Sequence, residues 1–421
     1  MLRGGEEDGP RPRRPLSHSG GRVERLSGPE QLVAVVKAGL SVDPERGVRD
    51  HVHGFHSYPA RLHPGTARAL IARLSPAGGQ VADPFCGSGT VLIEGRLLGR
   101  RTLGLDLNPL AVRLTRFKTE PLGGGDRADL IEAGERVTDH AEERRLSSAG
   151  PSRKYPADQR QTFDVHVLLE LDGLSQGIKK EPQGPIRHAL LLALSSIFSK
   201  VSRETNADAP QKRLASGFTI RFFESRIGEI ARQLERYEAL LPAGAPVPDC
   251  QEGDARELGR LGWQGVDLIV SSPPYPGVLD YAEYHRTRLS WLGLDGTKFV
   301  EQEMGARRAL AGLEPEDAAA QWERDFARVL RACRAALSPS GHVALIVADS
   351  LLGGRPYLAD LAVERCAERT GLAVVARGSQ RRPHFHRQSA EAFGSKSRYE
   401  HLLLLGPSDL KASRSGTRDA S

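Results

Sequence analysis

Gln80-Val81-Ala82-Asp83-Pro84-Phe85-Cys86-Gly87-Ser88-Gly89-Thr90-Val91-Leu92-Ile93 reads as a short strand, a glycine turn and the opening of a helix. The strand spans Gln80–Asp83, and the helix Val91–Leu98 is stopped by Gly99. Glycines in such a turn let the backbone reverse sharply and approach a ligand closely, at the carboxyl edge of the sheet where open α/β folds bind ligands. The run lacks the G-x-G-x-x-G dinucleotide fingerprint, and no G-K-[ST] follows to make a P-loop. A second strand, Arg101–Leu105, ends at Asp106. An acid about 20 residues beyond a glycine turn can accept both hydroxyls of an adenosine ribose. A glycine turn and a second-strand acid without a phosphate cradle suit a nucleoside cofactor that lacks phosphates.

Outward from this unit, short apolar runs alternate with helical patterns, which predicts an α/β fold with a mainly parallel sheet. Val266–Val270 and His342–Val347 are apolar enough for strands buried on both faces. Ala373–Ala376 and His401–Leu405 form a candidate closing pair. Trp322, Phe326, Val329, Leu330, Cys333 and Leu337 mark one helical stripe. Residues 120–248 interrupt the alternation. Pro121–Gln161 is polar and glycine-bearing, and is expected to be partly mobile. Ile186 to Val201 then carries an amphipathic pattern, and Ile220, Phe223, Ile227, Ile230, Leu234, Tyr237 and Leu241 repeat at the coiled-coil spacing. Those two helices are expected to pack on each other as an inserted helical subdomain, with self-association through the seam as the alternative. The expected organisation is a tail (1–25), a first sheet half (26–119), the insertion (120–248), a second sheet half (249–405) and a second tail (406–421). The tails are expected to be disordered, with Arg11, Arg13 and Arg14 either solvated or brushing a phosphate backbone.

The chain of 421 residues carries 59 Lys and Arg against 53 Asp and Glu, a formal charge of +6, which favours polyanionic partners. No run of about 18 apolar residues is present, so no membrane span is expected. The first residues lack an apolar signal core. The four cysteines, Cys86, Cys250, Cys333 and Cys366, form no C-x-x-C pair. That excludes a zinc knuckle or disulfide framework and fits a reducing cytoplasm.

Val266-Asp267-Leu268-Ile269-Val270-Ser271 runs into Ser272-Pro273-Pro274-Tyr275. A strand that ends in Pro-Pro leaves the sheet as a stiff loop. Together, Asp83–Thr90 and Ser272–Tyr275 resemble motif I and the catalytic loop of the amino-methylating DNA methyltransferases. The resemblance covers roughly 55–119 and 250–405. It implies a Rossmann-like class I methyltransferase sheet with helices on both faces and an inserted helical subdomain. It also implies S-adenosyl-L-methionine as cofactor, bound by Asp83, Phe85, Gly87, Gly89, Thr90 and Asp106. Phe55 to Pro64 resembles the segment that closes over the methionine moiety, with Phe55 as its contact. Asp254, in Gly253-Asp254-Ala255-Arg256, is either the residue that reaches the adenine amine or an ordinary turn aspartate. His51, His53, His56 and His63 crowd this region, but neighbouring acidic or cysteine co-ligands are missing from the sequence, so no metal is expected.

The resemblance assigns Ser272, Pro273, Pro274 and Tyr275 to catalysis. An exocyclic aromatic amine is a poor nucleophile, because its lone pair is delocalised into the ring. The Ser272 hydroxyl and Pro273 carbonyl would draw it toward tetrahedral geometry and receive its developing charge. Tyr275 would stack on a flipped-out base. Serine at the first loop position points within the family to cytosine N4, and Asp or Asn to adenine N6. Methylation of cytosine C5 needs a Pro-Cys nucleophile, which is absent. Tyr281 and His285, one turn apart on a following helix capped by Asp280, either face the base or pack. Ala376–His401 carries six Lys or Arg against two Glu, and holds His384, Phe385 and His386. It is either a backbone clamp through Arg381 and Arg382 or a solvated hairpin. The expected partner is DNA, paired with a restriction or defence system, with RNA and a silent nucleic-acid binder as alternatives.

Overall fold

The computed structural model describes residues 21–120, 122, 124–203, 213–384 and 387–408. Arg11, Arg13, Arg14, Phe385, His386 and the last thirteen residues lie outside them. The described residues form two compact units. One comprises Phe55–Ser57 with the described residues of 122–235, and the other the described residues of 21–54, 58–120 and 236–408.

The sheet unit carries β1 (Val23–Ser27), β2 (Gln80–Asp83), β3 (Arg101–Asp106), β4 (Asp249–Glu252), β5 (Val266–Ser271), β6 (Leu337–Ala348), β9 (Leu372–Arg382) and β10 (Arg398–Pro407). A separate hairpin pairs β7 (Ser350–Leu352) with β8 (Arg355–Tyr357). The strand order is β1-β9-β10-β6-β5-β2-β3-β4. Neighbours from β4 to β6 are parallel, whereas β10 inserts antiparallel between β6 and β9. The expected closing pair therefore exists, but its last strand separates β6 from β9. Strand β1 lies antiparallel on β9 and begins within the stretch read as a tail, and β10 continues to Pro407.

Alternation along the central strands explains why both faces are covered. In β6, Val343, Leu345 and Val347 enter one core while Ala344 and Ile346 enter the other. In β10, Leu403 and Leu405 oppose Leu402 and Leu404 in the same way. One face is covered by helices α1 (Glu30–Leu40), α2 (Pro64–Leu74), α3 (Thr90–Leu97) and α4 (Pro109–Thr119). On the other face lie α13 (Pro315–Ala336) and α14 (Ala359–Glu368), whose Trp322, Phe326, Leu330, Val363 and Cys366 fill the core. The chain moves from β2 outward to β4, then restarts on the other side of β2 at β5. The topological switch, and the crevice that accompanies it, therefore lies between β2 and β5.

The helical unit holds α5 (Gly124–Leu146), α6 (Ala157–Thr162), α7 (Val165–Lys180), α8 (Pro185–Val201) and most of α9 (Phe218–Ala239). The polar stretch expected to be mobile is largely the 23-residue helix α5. Its buried stripe is narrow: Leu130, Ala133, Val137 and Ala141. The tightest pairing is α5 on α7, not α8 on α9. Small residues make it possible. A Cβ at Gly173 would stand 3.0 Å from the Ala141 Cα, and one at Gly177 3.0 Å from the Val137 carbonyl oxygen. Helix α8 touches α9 through Arg226 Nε, which donates to Ser196 Oγ at 3.2 Å.

Candidate active site

The turn after β2 is built by two glycines at φ +52 (Gly87) and +87 (Gly89). A side chain at Gly89 would meet Thr115 Oγ1 at 2.8 Å, so only glycine fits there. The Gly87 amide donates to Asp106 Oδ2 at 2.8 Å, and the Asn108 amide to Oδ1 at 2.8 Å. Burial pushes the Asp106 carboxyl up to about 6, with the nearby Glu252 charge adding to it against those two amides. Asp83 joins the two loops. Its Oδ1 accepts from the Phe85 amide at 3.0 Å and from Ser271 Oγ at 2.7 Å. Burial raises its carboxyl to about 7, and Asp106 contributes in the same direction.

A cleft opens where these loops meet. Phe85, Gly87, Asp106, Asp254, Ser272, Pro274 and Tyr281 line it, as do Tyr58, Ala60, Phe299 and Glu303. Asp83, Gly89, Thr90 and Pro273 support it from behind without lining it. The cleft fits the nucleoside end of S-adenosylmethionine: a glycine edge without phosphate donors, with a two-oxygen acid at the tip of β3.

Several expected residues are placed differently. Phe55 is buried with the helical unit, its carbonyl accepting from Arg226, and does not line the cleft. The residue of that segment over the glycine turn is Tyr58. A Cβ at Gly87 would stand 3.4 Å from its ring, and its hydroxyl accepts from Asn108 Nδ2 at 3.1 Å. Asp254 caps the short helix Ala255–Leu261 and holds Arg256 through both oxygens, at 2.6 to 3.0 Å, so its acceptor capacity is largely spent. Asp280 makes no side-chain cap. Glu303 accepts the first amides of α10 (Tyr281–Leu292) instead, at 2.5 Å from Tyr281 and 3.3 Å from Ala282. Glu303 itself comes from the end of the short helix α11 (Thr297–Gln302), followed by α12 (Arg307–Leu310), and no sequence signal marked it.

Tyr275 does not face the cleft. Its ring is 8% exposed, within the core that holds Trp322, and its hydroxyl points to Ser272 and the sheet. The loop is pinned around it, because Trp322 Nε1 donates to the Pro274 carbonyl at 3.1 Å and Ser350 Oγ to that of Pro276 at 3.1 Å. His285 is fully buried, stacked on Tyr58 at 4.8 Å, and burial holds its pKa well below the usual range. It packs, while Tyr281 one turn earlier reaches the cleft.

The basic stretch that runs along β9 and into β10 is less cationic than its composition. Arg377 pairs with Asp360 and Glu364, Arg381 with Glu24, and Arg382 is buried beside Glu400. Arg398 is also buried and donates to the Asp349 carbonyl. Arg387, on α15 (Arg387–Phe393), pairs with Glu391. A carboxylate for His51 and His53 comes from α3. Glu94 accepts from His53 at 2.8 Å and from Arg68 at 3.1 Å, with His51 alongside. His63 caps α2, and Pro64 opens it as expected. The cysteines are free and buried, although Cys86 and Cys250 bring their sulfurs to 3.8 Å. Among the described residues no helix is long and apolar enough to cross a membrane.

A parallel sheet closed by an antiparallel last strand, with a glycine turn after β2, an acid at the tip of β3 and the cleft at the switch point, is the arrangement of a Rossmann-like class I methyltransferase sheet. Residues 40–117 match the family described as DNA methylase, the N6- and N4-methylating type.

A curated relative, the type II methyltransferase M.MvaI of Kocuria varians, is 23% identical over 58% of this chain and 58% of its own length. The tRNA (guanine(10)-N2)-dimethyltransferase of Methanothermobacter thermautotrophicus is 39% identical over 77 residues, 18% of this chain and 22% of its own. The chain thus spans less than two thirds of the length of these relatives. Among solved structures, the rRNA methyltransferase aviRa of Streptomyces viridochromogenes aligns over 86% of this chain and 92% of its own, at 14% identity and a TM-score of 0.32.

Proposed function

We propose that the protein transfers a methyl group to the exocyclic N4 of cytosine in DNA. The observation that carries this reading is the pairing of two loops on adjacent strands, β2 and β5, joined by the Asp83–Ser271 hydrogen bond, with Ser272 opening into the same cleft as Asp106.

S-adenosylmethionine, when bound, supplies a methyl group on a positively charged sulfur. Asp106 accepts the ribose hydroxyls, the Gly87 turn and Tyr58 hold the chain leading to the sulfur, and Tyr281 and Phe299 wall the cleft. Ser272 accepts a hydrogen bond from the target amine at the wall of the cleft. These contacts hold the amine's lone pair in line with the methyl carbon, and that alignment contributes most of the acceleration. The methyl donor would leave as a neutral thioether as its carbon passes to nitrogen, and the amine would lose one proton to water. A paired base cannot reach such a cleft, so the base is flipped out first. Serine rather than Asp or Asn at position 272 favours N4 of cytosine over N6 of adenine. A cognate restriction nuclease or defence system fits a type II relative, and the helical unit is the candidate reader of target sequence.

RNA base methylation is the second reading, and the tRNA guanine-N2 relative favours it, since guanine N2 is also an exocyclic amine. Genomic DNA from cells expressing the chain, digested to nucleosides and separated by mass spectrometry, distinguishes the two. N4-methylcytosine above the empty-vector level supports the proposal. N6-methyladenine keeps the mechanism and moves the base, and new methylation confined to cellular RNA moves the enzyme to RNA.

A further inference from the structure

Ser272 can help an amine only by accepting a hydrogen bond from it, and nothing in serine itself fixes which way its proton points. Behind the loop, Ser272 Oγ lies 3.2 Å from the Tyr275 hydroxyl. That hydroxyl in turn lies 3.5 Å from Glu400 Oε1 and 3.4 Å from the Ile346 carbonyl. Glu400 is 1% exposed on β10, directly opposite Gln380 of β9, and faces the buried Arg382 guanidinium at 3.6 Å.

We infer that Tyr275 and Glu400 are positioning residues that turn the Ser272 hydroxyl into an obligate acceptor toward the target amine. The inference rests on the amine-methylating reading above. A hydroxyl has one proton, and both partners of Tyr275 other than Ser272 can only accept. The Tyr275 proton therefore points into the sheet, most strongly toward the carboxylate, where the bond is charge-assisted. Its lone pair then faces Ser272, which donates its own proton back into the loop. What remains at the cleft is a serine lone pair, aimed where the amine hydrogen arrives. No proton needs to travel along this chain; its direction alone matters. Burial of Tyr275, together with the Glu400 charge, pushes its phenol pKa far up, so it remains a donor at every working pH. The distances are long for O–H···O bonds, as they often are before substrate tightens a site. Tyr275 on this account is anchored by its hydroxyl rather than freed to stack.

The test compares wild type with Tyr275→Phe, Glu400→Gln and the double variant, on DNA with saturating S-adenosylmethionine. Phenylalanine keeps the ring in the core, and glutamine keeps the shape of Glu400. Each single change is expected to lower kcat by about tenfold or more, the worth of one buried hydrogen bond, with KM for cofactor and DNA little moved. The double variant should lose no more than the worse single one, because both break the same chain. Infrared difference spectra give a readout independent of turnover. Tyr275→Phe should shift one carboxylate stretch, and the shift should vanish in the Glu400→Gln background. Glu400→Gln with kcat within twofold of wild type, multiplicative losses in the double variant, or no carboxylate shift would each overturn the inference. If wild type methylates no nucleic acid, the functional reading fails, and the infrared comparison still decides whether the hydroxyl chain exists.

Discussion

Cofactor affinity should rise steeply with pH, because the two carboxyls that serve the cofactor loop are partly protonated in the free protein. Asp83 titrates near about 7 and Asp106 near about 6, both raised chiefly by burial. The bound form needs both as carboxylates, Asp106 to accept ribose hydroxyls and Asp83 beside a cationic ligand. From about pH 5 to about pH 7, ionising Asp83 is worth about 50-fold in affinity and Asp106 about tenfold, so roughly two to three orders of magnitude jointly. Isothermal titration with S-adenosylmethionine across that range, with circular dichroism to verify folding, measures the slope. Asp83→Asn should remove the larger part and leave about the tenfold contribution of Asp106. A dissociation constant that stays within threefold over the range would refute the reasoning, as would an unchanged slope in Asp83→Asn.

The same shifts set the sign for stability. A carboxyl raised in the folded state holds its proton where the unfolded chain has lost it. Without cofactor, the stability contributed by Asp83 and Asp106 is therefore full below about pH 4 and is lost as pH rises toward about 7. Thermal melts of wild type against Asp83→Asn should show the variant gaining relative stability across that window. Gly89→Ala should damage the turn, since its φ of +87 and the 2.8 Å approach to Thr115 leave no room, and cofactor binding should weaken before the fold does. In the helical unit, Gly173→Ala pushes a methyl against Ala141 and should cost about 1–3 kcal/mol, read as a lower denaturation midpoint. Tyr275→Ala opens a cavity in the core and should cost about 3–5 kcal/mol by the same measurement, which is why the phenylalanine variant is the informative one for activity.

How far the sequence carried depended on the range of the contacts. Gln80–Asp83, the glycine turn, Asp106 and Ser272 were legible because each is a local pattern whose place in the sheet follows from strand order. Choosing Phe55 over Tyr58 failed because a ten-residue loop between a turn and a helix has no period to say which aromatic faces in. Glu303 and Glu94 were missed for another reason. Each is an ordinary glutamate until the fold brings it to the amides of α10 or to His53 and Arg68. Helix α5 was hidden by its composition, since one stripe of four apolar residues satisfies a partner whose own glycines let it come close. Counting Arg382 and Arg398 toward a basic surface failed because charge in a sequence says nothing of burial, and both lie buried against partners across strands, whereas Arg381 stays exposed and pairs with Glu24.

The central claim is that the cleft moves a methyl group onto a base amine of DNA. Purified protein incubated with methyl-labelled S-adenosylmethionine and unmethylated genomic DNA, alongside total RNA, tests it most directly once nucleosides are resolved by mass. The account predicts labelled N4-methylcytosine from the DNA, lost in Ser272→Ala while cofactor binding persists. Label confined to RNA, or none on any nucleic acid from protein that binds the cofactor, would contradict it.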